Sequence, residues 1–83
     1  MQFSYKTKGV CSRSIRIEIE DEIVKSVAFE GGCNGNTKGV AALVEGMKID
    51  EVIDRLQGIK CGFKGTSCPD QLAEALKAAK QEL

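Results

Sequence analysis

Isoleucines at positions 15, 17 and 19 alternate with Arg16, Glu18 and Glu20. A period of two sends one set of side chains to a buried face and the other to water, so this stretch predicts a half-buried β-strand. Phe3 and Tyr5 repeat the alternation over a shorter span and predict a first strand. Asp21-Glu22 predicts a hairpin turn, after which Ile23 to Phe29 returns antiparallel. Val24 follows Ile23 directly, and that break in the alternation predicts a bulge. Beyond residue 30 the period lengthens. Val40, Leu43, Val44 and Met47 fall at i, i+3, i+4 and i+7, the apolar face of a helix, with Asn34 or Asn36 as its cap. Gly46 interrupts it. Ile49, Val52, Ile53 and Leu56 mark a second, short helix opened by Asp50, with Glu51 in its first turn and Gly58 at its C′ position. A last helix is expected from about Pro69 to the C-terminus, with Leu72, Ala75, Leu76, Ala79 and Leu83 on one face and Lys77 and Lys80 towards its negative end. Strands come first and helices after. The pattern predicts an α+β fold, a three-stranded antiparallel sheet with three helices packed on one face.

The start of that last helix carries the most specific chemistry. In Thr66-Ser-Cys-Pro-Asp70, Ser67 suits the N-cap and Asp70, three residues on, suits its capping-box partner. Pro69 falls in the first turn, where its missing N–H costs nothing. Cys68 then stands at the positive end of a helix, where the dipole favours thiolate, the form that binds metal or attacks.

Composition sharpens this picture. The chain has 83 residues, the length of one domain. A domain so short buries only about 60% of its unfolded surface and commonly needs a metal or disulfides as a staple. Lys+Arg and Asp+Glu stand at 12 each, which argues against a nucleic-acid binder, since that role needs a basic surface. No apolar run approaches the ~20 residues of a membrane span. Met1 leads directly into a strand pattern without a signal-peptide signature, so a cytoplasmic location is expected. In that compartment disulfides are rare, and a cysteine cluster points to metal or catalysis. The chain has no histidine, so a metal site would have to use thiolates, carboxylates or backbone groups.

The four cysteines follow the pattern C-x21-C-x27-C-x6-C, without the C-x-x-C pairs of zinc fingers. Their placement says more than their spacing. Cys11 lies in the turn Lys8 to Arg13, Cys33 just before the first helix, Cys61 in the glycine-bearing loop Ile59 to Gly65, and Cys68 at the last helix start. All four fall at element boundaries and none on an apolar stripe, where a cysteine used as a small hydrophobe belongs. Boundary cysteines at one end of a sheet-and-helix layer can converge. Four thiolates would close a tetrahedral zinc site or hold an iron–sulfur cluster, with two helix N-termini offsetting negative charge and glycine N–H groups available to sulfur. Two alternatives stand beside this. Some of the cysteines could be buried, inert thiols. Cys61 and Cys68 could instead form a redox dithiol if their Cα atoms come within ~7 Å. The stretch Gly31 to Lys38 lacks the G-x-x-x-x-G-K-[ST] arrangement of a phosphate loop. No acid/base pair or nucleophile–base arrangement points to an enzyme.

Thr66-Ser-Cys-Pro-Asp70, Phe29-Glu-Gly-Gly-Cys-Asn-Gly-Asn36, Gly39 to Met47 and Gly58-Ile-Lys-Cys-Gly62 together resemble the stand-alone TSCPD-domain proteins, and the resemblance spans nearly the whole chain as a single domain, residues 1–83. A related domain closes adenosylcobalamin-dependent ribonucleotide reductases. The resemblance therefore implies a metal- or redox-linked module, with a reductase or a cluster acceptor as the partner class. The order of elements is also similar, more distantly, to NifU-like iron–sulfur scaffolds, whose three cluster cysteines would fall on Cys11, Cys33 and Cys68. Ser12 and Arg13 follow Cys11 where those scaffolds carry Gly-Asp, the histidine before the last cysteine is missing, and Cys61 is additional. That likeness implies the fold and a metal site and stops short of cluster donation; from their placement, the ligands expected are Cys11, Cys33, Cys61 and Cys68.

Overall fold

A computed structural model of the chain describes residues 1–9, 12–31, 34–60 and 65–82. Three strands, β1 (Gln2–Lys6), β2 (Ser12–Glu20) and β3 (Ile23–Gly31), precede three helices, α1 (Asn34–Val44), α2 (Ile49–Leu56) and α3 (Cys68–Lys80). The strands form one antiparallel sheet in the order β1-β2-β3. This is the expected α+β arrangement.

Ile15, Ile17 and Ile19 are buried, and Arg16, Glu18 and Glu20 between them are exposed. The two-residue turn Asp21-Glu22 has φ of 53° and 64°, positive at both central positions as a type I′ hairpin turn requires. The bulge is present. Glu18 faces Ser26 while Ile19 faces Val24, so Lys25 is the extra residue. It resets the parity of β3: Val24 turns inward opposite Ile19, and Val27 and Phe29 turn inward opposite Ile17 and Ile15. A second register shift, between Ser12 and Ser14, brings Ser12 opposite Gly31.

One core takes side chains from every layer. Ile15, Ile17, Ile19 and Val24 meet Val44 of α1, Ile49, Val52 and Ile53 of α2, and Leu72, Ala75, Leu76 and Ala79 of α3. Phe3, Tyr5, Val27, Phe29, Val40, Met47 and Leu56 pack around it. Burying a leucine such as Leu72 or Leu76 contributes roughly 1.5–3 kcal/mol, so α3, with four residues at zero exposure in this cluster, anchors the fold. The opposite sheet face is open and carries Ser4, Arg16, Glu18, Ser26 and Ala28 along a shallow groove of about 200 Å³.

Three expectations need correction. Leu43 is 79% exposed and lies off the apolar face of α1. That helix starts at Asn34, and its inward stripe is Thr37, Val40, Ala41 and Val44. The stripe opens on a threonine, which an apolar pattern does not register. Asn34 and Asn36 both lie inside the helix, so neither is its cap. Finally, α2 begins at Ile49, one residue ahead of Asp50. Its flanking residue Lys48 makes no side-chain cap, and the start is set by backbone pairing instead: Lys48 bridges Ile23, and Ile49 N–H donates to Glu22 O at 3.0 Å. Gly58 follows α2 with φ of 84°, the left-handed C′ residue expected there. Leu83 lies outside the described residues.

Candidate functional site

The first turn of α3 is built as its sequence suggests, with one change of partner. Ser67, extended at φ −149° and 4% exposed, accepts the Asp70 N–H on its Oγ at 3.1 Å, the hydrogen bond of an N-cap. Pro69 occupies the first turn, and Cys68 is the first helical residue, half-buried. Asp70 places its carboxylate oxygens elsewhere than a capping box would. Its Oδ1 accepts the Gly58 N–H at 2.6 Å and its Oδ2 accepts the Thr66 hydroxyl. The acid at the third helical position thus ties the end of α2 to the start of α3. A carboxylate accepting such bonds beside a helix N-terminus is favoured by charge as well as geometry.

Two further side chains extend this arrangement. Ser67 Oγ donates to Ile59 O at 2.6 Å, fixing the chain that leads towards Cys61. Gln71, 7% exposed, accepts the Lys8 N–H on Oε1 at 3.0 Å and donates from Nε2 to Thr66 Oγ1 at 3.0 Å. Lys8 lies in the segment that leads towards Cys11. Gly9, at φ 72°, packs so closely that a Cβ built on it would stand 3.3 Å from Thr66 Cγ2. A left-handed backbone at close approach is the combination that glycine alone accepts without strain. No buried side-chain nitrogen or oxygen among the described residues lacks a hydrogen-bond partner, and both polar atoms of the Gln71 amide are bonded.

Of the predicted site residues, Cys68 is described and stands where the sequence put it. Cys11, Cys33 and Cys61 lie outside the described residues. Their described neighbours meet in a defined way. Ser12, after Cys11, is paired across the sheet with Gly31, two residues before Cys33. Asn34, after Cys33, starts α1. Ile59, two residues before Cys61, is bonded to Ser67, next to Cys68. Among the described residues, no group of three or more cysteines and acids is placed to hold a metal ion. Gln71 and Thr37 are buried polar residues that the sequence reading passed over. The signal for Gln71 was faint: an amide directly after the capping acid, beside an apolar stripe.

The model of the TSCPD domain matches residues 3–80. The chain belongs to the TSCPD domain family. The T-S-C-P-D segment of this member is thus a helix-capping turn whose serine and aspartate hold the stretch after α2, while its threonine links Asp70 to Gln71. No curated protein and no solved structure matches it. No helix among the described residues is long and apolar enough to cross a membrane.

Proposed function

We propose that this TSCPD chain is a metal-holding module in which Cys11, Cys33, Cys61 and Cys68 bind one Zn²⁺ or an iron–sulfur cluster. The observation that carries the reading is the convergence of the described residues flanking the cysteines. Gly9 and Lys8 abut the Thr66–Gln71 turn, Ser12 is opposite Gly31, and Ile59 is bonded to Ser67. Two residues of chain reach at most about 7 Å. The reading extends this gathering, over one or two residues of chain, to Cys11, Cys33 and Cys61, which themselves lie outside the described residues. The donor set fits the group: four thiolates satisfy tetrahedral zinc or the ligand count of an iron–sulfur cluster. Cys33 directly precedes α1 and Cys68 opens α3, so on this reading two helix N-termini would offset part of the thiolate charge. When bound, zinc would tie four segments of a small domain together, and a cluster would add electron transfer. The chain's own residues supply the thiols, and Ser67 caps the helix that carries Cys68. On this reading the protein works alongside a reductase or a cluster acceptor.

The test is elemental analysis with a UV–visible spectrum on protein purified without oxygen or chelator. About one zinc per chain and no visible band identifies a closed thiolate site. Iron with broad visible absorption identifies a cluster carrier. Metal-free protein in both measurements overturns the proposal.

A second reading rests on the Ser67–Ile59 bond, which joins the flanks of Cys61 and Cys68. Those two thiols would exchange with a partner's disulfide. One disulfide forms here while the partner's is reduced to two thiols, taking up both protons and both electrons. Thiol titration then shows two fewer thiols after mild oxidation, restored by a dithiol reductant. Four thiols under all conditions exclude it.

A further inference from the structure

The polar side chains around α3 form one directed chain of hydrogen bonds. Lys8 N–H donates to Gln71 Oε1, Gln71 Nε2 donates to Thr66 Oγ1, and Thr66 donates to Asp70 Oδ2. From the other side Gly58 N–H donates to Asp70 Oδ1. The two ends of this chain are backbone amides, one in the segment leading to Cys11 and one in the segment leading to Cys61. Between them lies the turn that carries Cys68. The bond from Lys8 to Gln71 crosses 63 residues of sequence. Neither β-sheet pairing nor helix geometry demands a glutamine at this position. Its neighbours Leu72 and Ala73 are fully buried apolar residues, and Gln71 is the buried polar residue beside them.

We propose that Gln71 is a positioning residue. Its side-chain amide docks the β1–β2 segment onto the first turn of α3, so that the Cys11 and Cys68 segments are held together before any metal arrives. The inference rests on the four-cysteine reading above and adds a residue outside the cysteines to it. The role is that of the outer groups which orient metal ligands, whose loss lowers metal affinity by about 10- to 100-fold. Gln71 acts on the thiols through the backbone at Lys8 and through Thr66, and it touches no metal itself.

The experiment compares wild type with Gln71→Met, which keeps the side-chain volume and helix propensity but makes neither hydrogen bond. Thr66→Val removes the middle of the chain and serves as the second variant if the first does not fold. Two readouts are taken. Amide hydrogen exchange on the metal-free protein is followed at Lys8 and, as a control on the fold, at Leu76. Zinc affinity is measured by competition with a chromophoric chelator. Exchange at Lys8 is expected to rise about two- to tenfold, the factor left by one lost hydrogen bond of typical strength. Leu76 is expected to stay protected, and zinc affinity to fall about 10- to 100-fold. Unchanged zinc affinity in a variant whose Lys8 amide has been released overturns the positioning role and leaves the metal site standing. An unchanged Lys8 amide overturns the docking itself. If wild type takes up no zinc or iron, the four-cysteine reading fails and this inference with it. That outcome differs from the other two because wild type alone decides it.

Discussion

The two ends of the sheet are held in different ways. At the hairpin end, the segment between α1 and α2 lies along the start of β3 and is fixed by backbone groups. Gly46 N–H donates to Val24 O at 2.7 Å, Val24 N–H to Met47 O at 2.9 Å, and Ile49 N–H to Glu22 O at 3.0 Å. At the other end, side chains of the α3 start add to the strand pairing: Ser67 and Asp70 bind Ile59 O and Gly58 N–H, and Gln71, bonded to Thr66, binds Lys8 N–H. Backbone pairing depends little on residue identity. Side-chain pairing depends on it entirely. The hairpin end is therefore insensitive to most side-chain changes, and the end at the first turn of α3 can be altered one residue at a time.

That contrast can be broken from largest effect to smallest. Leu76 is fully buried in the core shared by both ends. Leu76→Ala is expected to cost about 2–5 kcal/mol by denaturant unfolding, with both ends opening in one transition. Separate transitions would show that the ends have separate cores. Ser67→Ala removes a cap and the donor to Ile59 O, and is expected to cost about 1 kcal/mol. Amide exchange should then rise at the Asp70 N–H, whose acceptor is lost, while Val24 and Gly46 stay protected. Equal exposure at both ends would contradict the division of labour. Glu22→Gly acts at the hairpin end alone. Glu22 holds φ of 64°, a region where a side chain is strained, so glycine is expected to stabilise the protein by about 0.5–1 kcal/mol with metal binding unchanged.

The smallest effect is electrostatic. Lys80, exposed near the end of α3, is bonded to Asp50 at the start of α2. That hydrogen bond, and then the charge of Asp50 with smaller help from Glu22 and Asp54, holds its ammonium above the ordinary 10.5. The folded state favours the charged form. The contribution is thus complete below the ordinary value and is lost as pH rises through the raised one. The melting-temperature difference between wild type and Lys80→Met should be small and positive at neutral pH, reduced by salt, and gone in strong alkali. A difference that persists in strong alkali would show a packing role for the lysine stem.

The same division explains what the sequence made legible. The isoleucine alternation, the Ile23-Val24 break and the capping serine all act over a few residues, and each was found in place. Leu43 misled because α1 opens its inward face on Thr37, so an apolar count fell out of register with the helix. Asp70 was expected to close a capping box and instead reaches Gly58, a partner 12 residues away that exists only once α2 has packed on α3. Gln71 was missed for the same reason: its meaning lies in Lys8, brought to it by the fold. Local chemistry could be read along the chain, whereas the side-chain network that gathers the cysteine segments could not.

The most direct test of the proposal that the four cysteines share one metal site is a cobalt(II) titration of wild type and the four single Cys→Ser variants. The account predicts a single saturable site in wild type with thiolate-to-metal absorption. It also predicts weakened absorption and affinity in each of Cys11→Ser, Cys33→Ser, Cys61→Ser and Cys68→Ser. A spectrum unmoved by Cys68→Ser, or no cobalt taken up at all, would contradict it.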